Sequence, residues 1–582
     1  MALVTDSLIS LDGGHKARST LTKSRIRFVI AVLIVLFAGV AGRLVQLGAT
    51  VTDSSIDGVA RDLITATRPT LLDRNGLEMA VDIPAPSLYA EPRRIIDVNE
   101  AVEKLRTVMP DLDATWLRQR LTGDKGFVWI RRELTPAIEA KVFELGIPGL
   151  DFLTESKRFY PSGQEASHIL GAVNIDNQGT MGIEKTMDDR DVGMLQALGL
   201  ARGNELAPVS LSIDLRVQHA IYEQLSDALT RYQAVAAAGV MMDVTTGEIL
   251  GLVSLPDFDP NRPDTMDAAY NGLKGQRFNR ITYGIYELGS TFKTITFAGA
   301  LDQGAISLTD QVDASEGVRF GRFTIDDFHG KHRVLSVPEV FKYSSNIGTI
   351  KIMEAMGKDN LRAFMTRLGL DQPVPFDVPE MRAPSVPKTF SEVVAATASY
   401  GHGLSVSPLH MVRAVAALVN DGVMVTPTLF KRSAEDAAVE GIRVVSPETS
   451  ARVRYLLRLN ALEGSGSRMN LFANGFRVGG KTGTAEKVVG KAYAADKTLA
   501  VFASAFPVDK PRYAMVILVD EPHEENAQSG RTAGWNAGEV TGRIVQRVAP
   551  MLGISPDFSQ SFDDQLVPPE LRTVLSAGEA AL

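Results

Sequence analysis

The sequence predicts a multi-domain α/β protein: an N-terminal transmembrane helix, an α+β module, and a larger domain with a central antiparallel sheet flanked by helices. Three observations carry this reading. The chain has 582 residues, more than one hydrophobic core accommodates. Residues 28–42, FVIAVLIVLFAGVAG, carry no charge. From Ala207 a strand–helix start leads into a two-strand meander at 234–255, and another apolar strand, RYAMVILVDEP, follows at 512–522.

Composition narrows the class. Hydrophobic residues make up 45% and charged residues 22%, which is globular rather than disordered. A net charge of −8 without a long basic stripe argues against a nucleic-acid partner. Cysteine is absent, which excludes disulfides, thiolate nucleophiles and Cys-ligated zinc.

Taken in order, residues 1–24 read as a cytoplasmic head holding Lys16, Arg18 and Lys23. Arg25 and Arg27 then lead into the apolar run, and with LVQL beyond Arg43 the span 25–47 supplies about 20 apolar residues, roughly 30 Å of helix. Basic residues ahead of it favour a cytoplasmic N-terminus. A cleaved signal peptide, cut near Gly39 or Ala41, is the competing reading; both put the bulk of the chain outside the cytoplasm.

Residues 48–206 read as an α+β module without chemistry of its own. Asp73-Arg74-Asn75-Gly76 is a turn signal, 98–109 and 135–146 are helical with Gly146 placed as a C-cap, and Phe159 and Tyr160 of KRFYP are expected in the core. Residues 207–552 form the larger domain, entered through a helix capped by Ser212 or Asp214 and closed by a helix at 537–552 that packs on the sheet. Residues 553–582 read as a loosely held tail.

ELGSTFKTITFAGA, 287–300, places Ser290 and Lys293 on one helical face, with Ser290 in the first turn where backbone N–H groups are unpaired. A serine nucleophile needs a base, and no Ser-His-Asp pattern is evident. Lys293 can serve if burial among Phe292, Ile295 and Phe297, and a second cation nearby, keep its amine neutral. SVPK, 385–388, repeats the spacing, but Pro387 breaks the helix that would align Ser385 with Lys388. KYSSNIGTIKI, 342–352, sets Ser344 and Asn346 before a helical pattern. RVGGKTGTAEK, 477–487, is strand-like, with Lys481, Thr482 and Thr484 around Gly483, a position where backbone can approach a ligand closely. His402, His410 and the HEEN loop at 523–526 have no metal-ligand spacing and read as structural or surface groups.

SxxK, SxN and KTG in this order match the penicilloyl serine transferases. With the single anchor, the DRNG turn, RFYPSGQEASHILG, SIDLRVQ, VTTGEILG and ASYGHGLSVSPLHMVRA, the chain resembles the class B penicillin-binding proteins, and among them the division-type penicillin-binding protein 3 family, over nearly its whole length. The resemblance implies a septal peptidoglycan D,D-transpeptidase in the bacterial inner membrane, anchored by an uncleaved helix with its catalytic domain in the periplasm. It implies Ser290 as the acyl-ester nucleophile and Lys293 as its base. Ser344, assisted by Lys481, would relay a proton to the leaving amine, and Asn346 would bond the substrate's peptide chain. The N–H groups of Ser290 and Thr484 would form the oxyanion hole; Thr482 and Thr484, with Gly483 between them and Lys481 supplying charge, would hold the terminal carboxylate of D-Ala-D-Ala. Stem peptides as donor and amine acceptor, β-lactams as covalent inhibitors, an FtsW-type glycan polymerase and other division proteins are the implied partners. No cofactor is implied and no metal is expected.

Three positions depart from the family pattern: Pro69 after Arg68, Leu288 before Gly289, and Glu539 where Pro is common. The rivals are an elongation-type transpeptidase, which tends to carry Asp where this chain has Asn346, a class D β-lactamase, which shares STFK, a D,D-carboxypeptidase, and a non-catalytic division scaffold.

Overall fold

The structure is a computed structural model and describes residues 30–43, 68–189, 207–262, 275–490, 492–559 and 565–572. Residues 30–43 are helical with every side chain exposed. The expected head and the two ends of the expected span, 25–29 and 44–47, lie outside the described residues. Among the described residues no helix is long and apolar enough to cross a membrane.

Contacts divide the chain into two compact units, the smaller including Tyr89–Ile130 and Leu145–Asp151, the larger Ile64–Leu88, Arg131–Glu144 and everything from Phe152 onward. By its contacts, much of the 48–206 segment therefore groups with the larger unit. In the smaller unit two short helices, α1 (Val98–Val108) and α2 (Ala114–Leu121), each start on an aspartate whose carboxylate accepts from the free N–H groups of the first turn: Asp97 from Asn99 and Glu100, Asp113 from Trp116. Their apolar stripes, Ala101, Val102 and Leu105 against Leu117 and Leu121, are buried. The second expected helix is α3 (Pro136–Glu144), and Gly146 follows it with φ +60°.

In the larger unit, strand β1 (Leu71–Leu72) pairs antiparallel with β2 (Glu78–Ala90) across the DRNG turn. Asp73 closes that turn by accepting from the N–H groups of Asn75 (2.7 Å) and Leu77 (2.9 Å). β3 (Leu150–Phe159) pairs with β2. Behind these strands Arg68 and Arg158 converge on Glu184, each at 2.7 Å, while Arg158 also pairs with Asp82 (3.0 Å) and Arg68 with Asp188 (2.6 Å). Arg68 thus anchors a buried ion network and Pro69 contributes its carbonyl to Arg158. Substituting Arg158→Ala leaves Glu184 and Asp82 short of a partner out of water, and we expect a loss of about 3–5 kcal/mol, measured as a lower denaturation midpoint of the purified protein. Tyr160 is buried as expected, but Phe159 is 39% exposed. Strand alternation explains the correction: neighbours in β3 point to opposite faces, and Arg158 takes the inward position.

Helix α4 (Leu215–Arg231) is capped by Asp214, which accepts from Arg216 N–H. Strands β4 (Ala236–Asp243) and β5 (Ile249–Leu255) flank the Thr-Thr-Gly-Glu turn. Helices α5 (Lys293–Asp302), α6 (Asn346–Met356), α7 (Pro408–Val419) and α8 (Pro447–Glu463) precede three more strands, β6 (Gly479–Val489), β7 (Ala492–Phe506) and β8 (Tyr513–Asp520), and α9 (Ala537–Met551) ends the unit. The five strands form one antiparallel sheet in the order β6-β7-β8-β4-β5, so β6 lies at an edge. Period-two alternation gives it two apolar faces. Ala238, Val240, Met242, Val516 and Leu518 pack with α5 and α7. Ala237, Met241, Met515, Ile517 and Phe502 pack with α4 and α9.

The described parts of the tail are held rather than loose. Asp557 N–H donates to Gly475 O at 2.7 Å and its carboxylate meets Arg477, Glu570 pairs with Arg452 at 2.9 Å, and Leu571 packs on the core. Single long-range contacts of this kind leave no periodic trace in sequence.

Candidate active site

The Gly289–Phe292 segment is a 3-10 turn running directly into α5, so Ser290 and Lys293 are three residues apart across the junction of a 3-10 turn and an α-helix. In a 3-10 turn residues i and i+3 eclipse, a tighter superposition than the α-helical face the sequence predicts. Ser290 is half-buried, whereas Lys293 has no exposed surface, and Phe292, Ile295 and Phe297 around it in the sequence are buried too.

Two glycines let other chain segments close on this turn. A side chain on Gly483 would place its Cβ 2.2 Å from Leu288 O, so the glycine here lets the strand close on the turn that carries Ser290. A Cβ on Gly289 would lie 3.3 Å from Thr484 N, which brings the β6 edge alongside the N-terminus of the Ser290 turn. Leu288, the first of the departures in this domain, is fully buried there.

Ser344 sits between two lysines. Its Oγ lies 3.2 Å from Lys293 Nζ and 3.0 Å from Lys481 Nζ. Lys293 also reaches the Ser344 carbonyl, and it donates to Asn346 Oδ1 at 2.8 Å. Ser344 has φ +58°, an unfavourable left-handed conformation for a residue with a Cβ, and it links the preceding Val337–Lys342 helix to the Ser345 cap of α6. Burial pushes Lys293 well below the usual lysine range, and the nearby Lys481 pushes it further, against an opposing pull from Asp327. Burial alone brings Lys481 down to about 7.

Thr482 and Thr484 share one face of β6, as spacing by two requires. Thr482 Oγ1 is 2.5 Å from Ser465 Oγ, and Thr484 Oγ1 accepts from Ala533 N–H at 3.1 Å. The structure thus brings Lys293, Ser344, Asn346, Lys481 and Thr482 into one hydrogen-bonded group, with Ser290, Gly483 and Thr484 joined to it by backbone packing. Ser385 lies elsewhere, extended and bridged to Ser405. His410 caps α7 through Ser407, and His402 meets Glu287 at 3.3 Å. Glu539 is buried in the first turn of α9 and collects Arg231, Arg468 and Arg543.

Two contributors carry no sequence signal. Asp327 accepts from Ser345 Oγ (2.7 Å) and from the N–H groups of Asn346 and Ile347, fixing the start of α6. Ser465, from the turn after α8, reaches both Thr482 and Lys481.

A serine on a helix-starting turn, beside a hydroxyl shared by two buried amines and an open sheet edge, has the parts for acyl transfer through a serine ester. Residues 237–545 match the penicillin binding protein transpeptidase domain, and residues 63–190 the penicillin-binding protein dimerisation domain. The chain is 36% identical over 499 residues to the probable peptidoglycan D,D-transpeptidase FtsI of Caulobacter vibrioides, covering 84% of this chain and 82% of that one. It is 32% identical to the probable peptidoglycan D,D-transpeptidase PenA of Neisseria meningitidis, over 92% of this chain and 94% of that one. In fold it is similar to penicillin binding protein 3 of Mycobacterium tuberculosis, solved with aztreonam, with TM-score 0.63 and 23% identity over 84% of this chain and 97% of that one. The chain belongs to the penicillin-binding protein transpeptidase family.

Proposed function

We propose that the protein is a division-type peptidoglycan D,D-transpeptidase, a serine acyltransferase that cross-links stem peptides of the septal wall and is acylated by β-lactams. The observation that carries this is Ser344 Oγ within hydrogen-bond reach of two buried lysines, beside the Ser290 turn. Ser290 Oγ attacks the carbonyl carbon of the penultimate D-Ala while Lys293, neutral by burial, takes the hydroxyl proton. The N–H groups of Ser290 and Thr484 take the oxyanion. Ser344 passes a proton to the nitrogen of the departing D-Ala and is recharged through the lysines; Asn346 bonds the peptide, and Thr484 and Lys481 hold its carboxylate, with Thr482 beside them on the strand. The peptide C–N bond breaks and a Ser290 ester forms. The amine of a second stem peptide then attacks the ester, loses its proton to the same relay, and Ser290 regains its own.

We place the bilayer at residues 25–47, the catalytic domain in the periplasm from 207–552, and the 48–206 module, with an FtsW-type polymerase and other division proteins, among the partner contacts. The residues ahead of the span are basic and 30–43 is helical and exposed, which supports that reading.

Labelled benzylpenicillin tests the site. A stable adduct is expected on the intact protein and on Ser385→Ala, and none on Ser290→Ala. An adduct that survives Ser290→Ala, or one that turns over quickly, would point to another nucleophile or to a β-lactamase.

A further inference from the structure

Asn460, in the last turn of α8, is fully buried, and both ends of its side-chain amide are hydrogen-bonded. Its Nδ2 donates to Gly480 O at 2.7 Å, the carbonyl just ahead of Lys481 on the edge strand. Its carbonyl accepts from Gly464 N–H (3.0 Å) and Gly466 N–H (3.3 Å), and its Oδ1 accepts from Ser465 Oγ at 3.1 Å. A carbonyl can only accept, so Gly480 O fixes which end of the amide faces it and leaves Oδ1 toward Ser465. A serine hydroxyl has one proton, and here Asn460 takes it. The 2.5 Å contact between Ser465 Oγ and Thr482 Oγ1 then has to be bridged by the Thr482 proton. Ser465 Oγ is left with lone pairs only toward Lys481 Nζ, 3.5 Å away.

We propose that Asn460 is a positioning residue for anion recognition: it sets the direction of the hydroxyl chain Thr482→Ser465→Asn460, so that Ser465 is an obligate acceptor beside Lys481 and supports that amine as the charged donor for a carboxylate. This rests on the acyltransferase reading above. An obligate acceptor favours the protonated amine. The groups facing Lys481 include the amine of Lys293 from α5, which shares Ser344 Oγ with it, Ser344 itself from the loop before α6, and the Phe341 ring at 5.9 Å. Asn460 therefore extends carboxylate capture to higher pH without itself touching Ser290, Lys293 or Ser344.

The test is the second-order rate of acylation by benzylpenicillin and by its methyl ester, followed against pH for the intact protein, Ser465→Ala, Asn460→Leu and the double variant. With Asn460→Leu the acid-over-ester preference should fall about fivefold, the worth of one net hydrogen bond. The high-pH limb of the acid's profile should move about half a unit lower. Ser465→Ala should do the same, and the double variant no more than either. Ser465 is exposed in a turn, so that variant carries the test if Asn460→Leu fails to fold. Equal losses for acid and ester, or an unchanged preference in Ser465→Ala, would overturn the inference while leaving the acyltransferase intact. No adduct on the intact protein would overturn both.

Discussion

Lys293→Met is expected to slow acylation by benzylpenicillin about 10³-fold, within the range general-base removal produces, without unfolding the protein. Methionine matches the length of the lysine stem and suits a fully buried position on a helix whose neighbours Phe292, Ile295 and Phe297 are also buried. What is lost is the amine that bonds Ser344 and Asn346. Lys293→Arg should not rescue the rate, because guanidinium stays cationic where burial favours the neutral form of the amine. A time course of labelled-adduct formation reads both variants. A Lys293→Met rate within tenfold of the intact protein would move the base elsewhere, and Lys481 would be the next group to test.

Gly401→Ala should cost about 10²-fold in the same assay, the scale on which a small displacement of a nucleophile is felt. Gly401 has φ +86°, and a Cβ there would lie 2.1 Å from Gly289 O and 2.9 Å from Gly289 N. Both are backbone atoms of the turn that carries Ser290, and Gly289 N–H already donates to Gly401 O at 3.3 Å. No side-chain rearrangement relieves such a clash, so the turn itself must move. Gly76→Ala is the control. Gly76 has φ +89° and nothing within 4 Å of its would-be Cβ, so the strain there is conformational, about 1 kcal/mol, with acylation unchanged. A Gly401→Ala protein that acylates normally would mean the turn tolerates displacement.

The parts of this molecule that were readable beforehand are those written in local or periodic form. Asp73 closing the DRNG turn, Asp214 opening α4 and the paired strands around Thr245–Gly247 all depend on neighbours within a few residues. The three motifs at Ser290, Ser344 and Lys481 were legible because each combines a reactive type with a backbone context that suits it. The contacts of Asp327 with the start of α6 and of Ser465 with Lys481 were not, since each is an ordinary polar residue in a loop and the partners lie 16 to 20 positions away. The arginine and glutamate network at Arg68 and Arg158 was hidden for the same reason: charged residues are usually exposed, and only the folded arrangement shows these are paired and dry. Phe159 went the other way, its hydrophobicity overruled by the phase of its strand.

The burial of Lys481 also governs how the folded state responds to protons. In the unfolded chain this amine holds its proton up to about its ordinary 10.5, whereas in the fold it lets go near 7. Between those values the unfolded state binds more protons, so stability rises with pH across that window; at and below about 7 the full deficit applies, on the order of 5 kcal/mol. Lys293 adds a deficit of the same sign. The cleft is therefore chemically ready, with Lys481 charged for an anion, in the pH range where the protein around it is easiest to unfold.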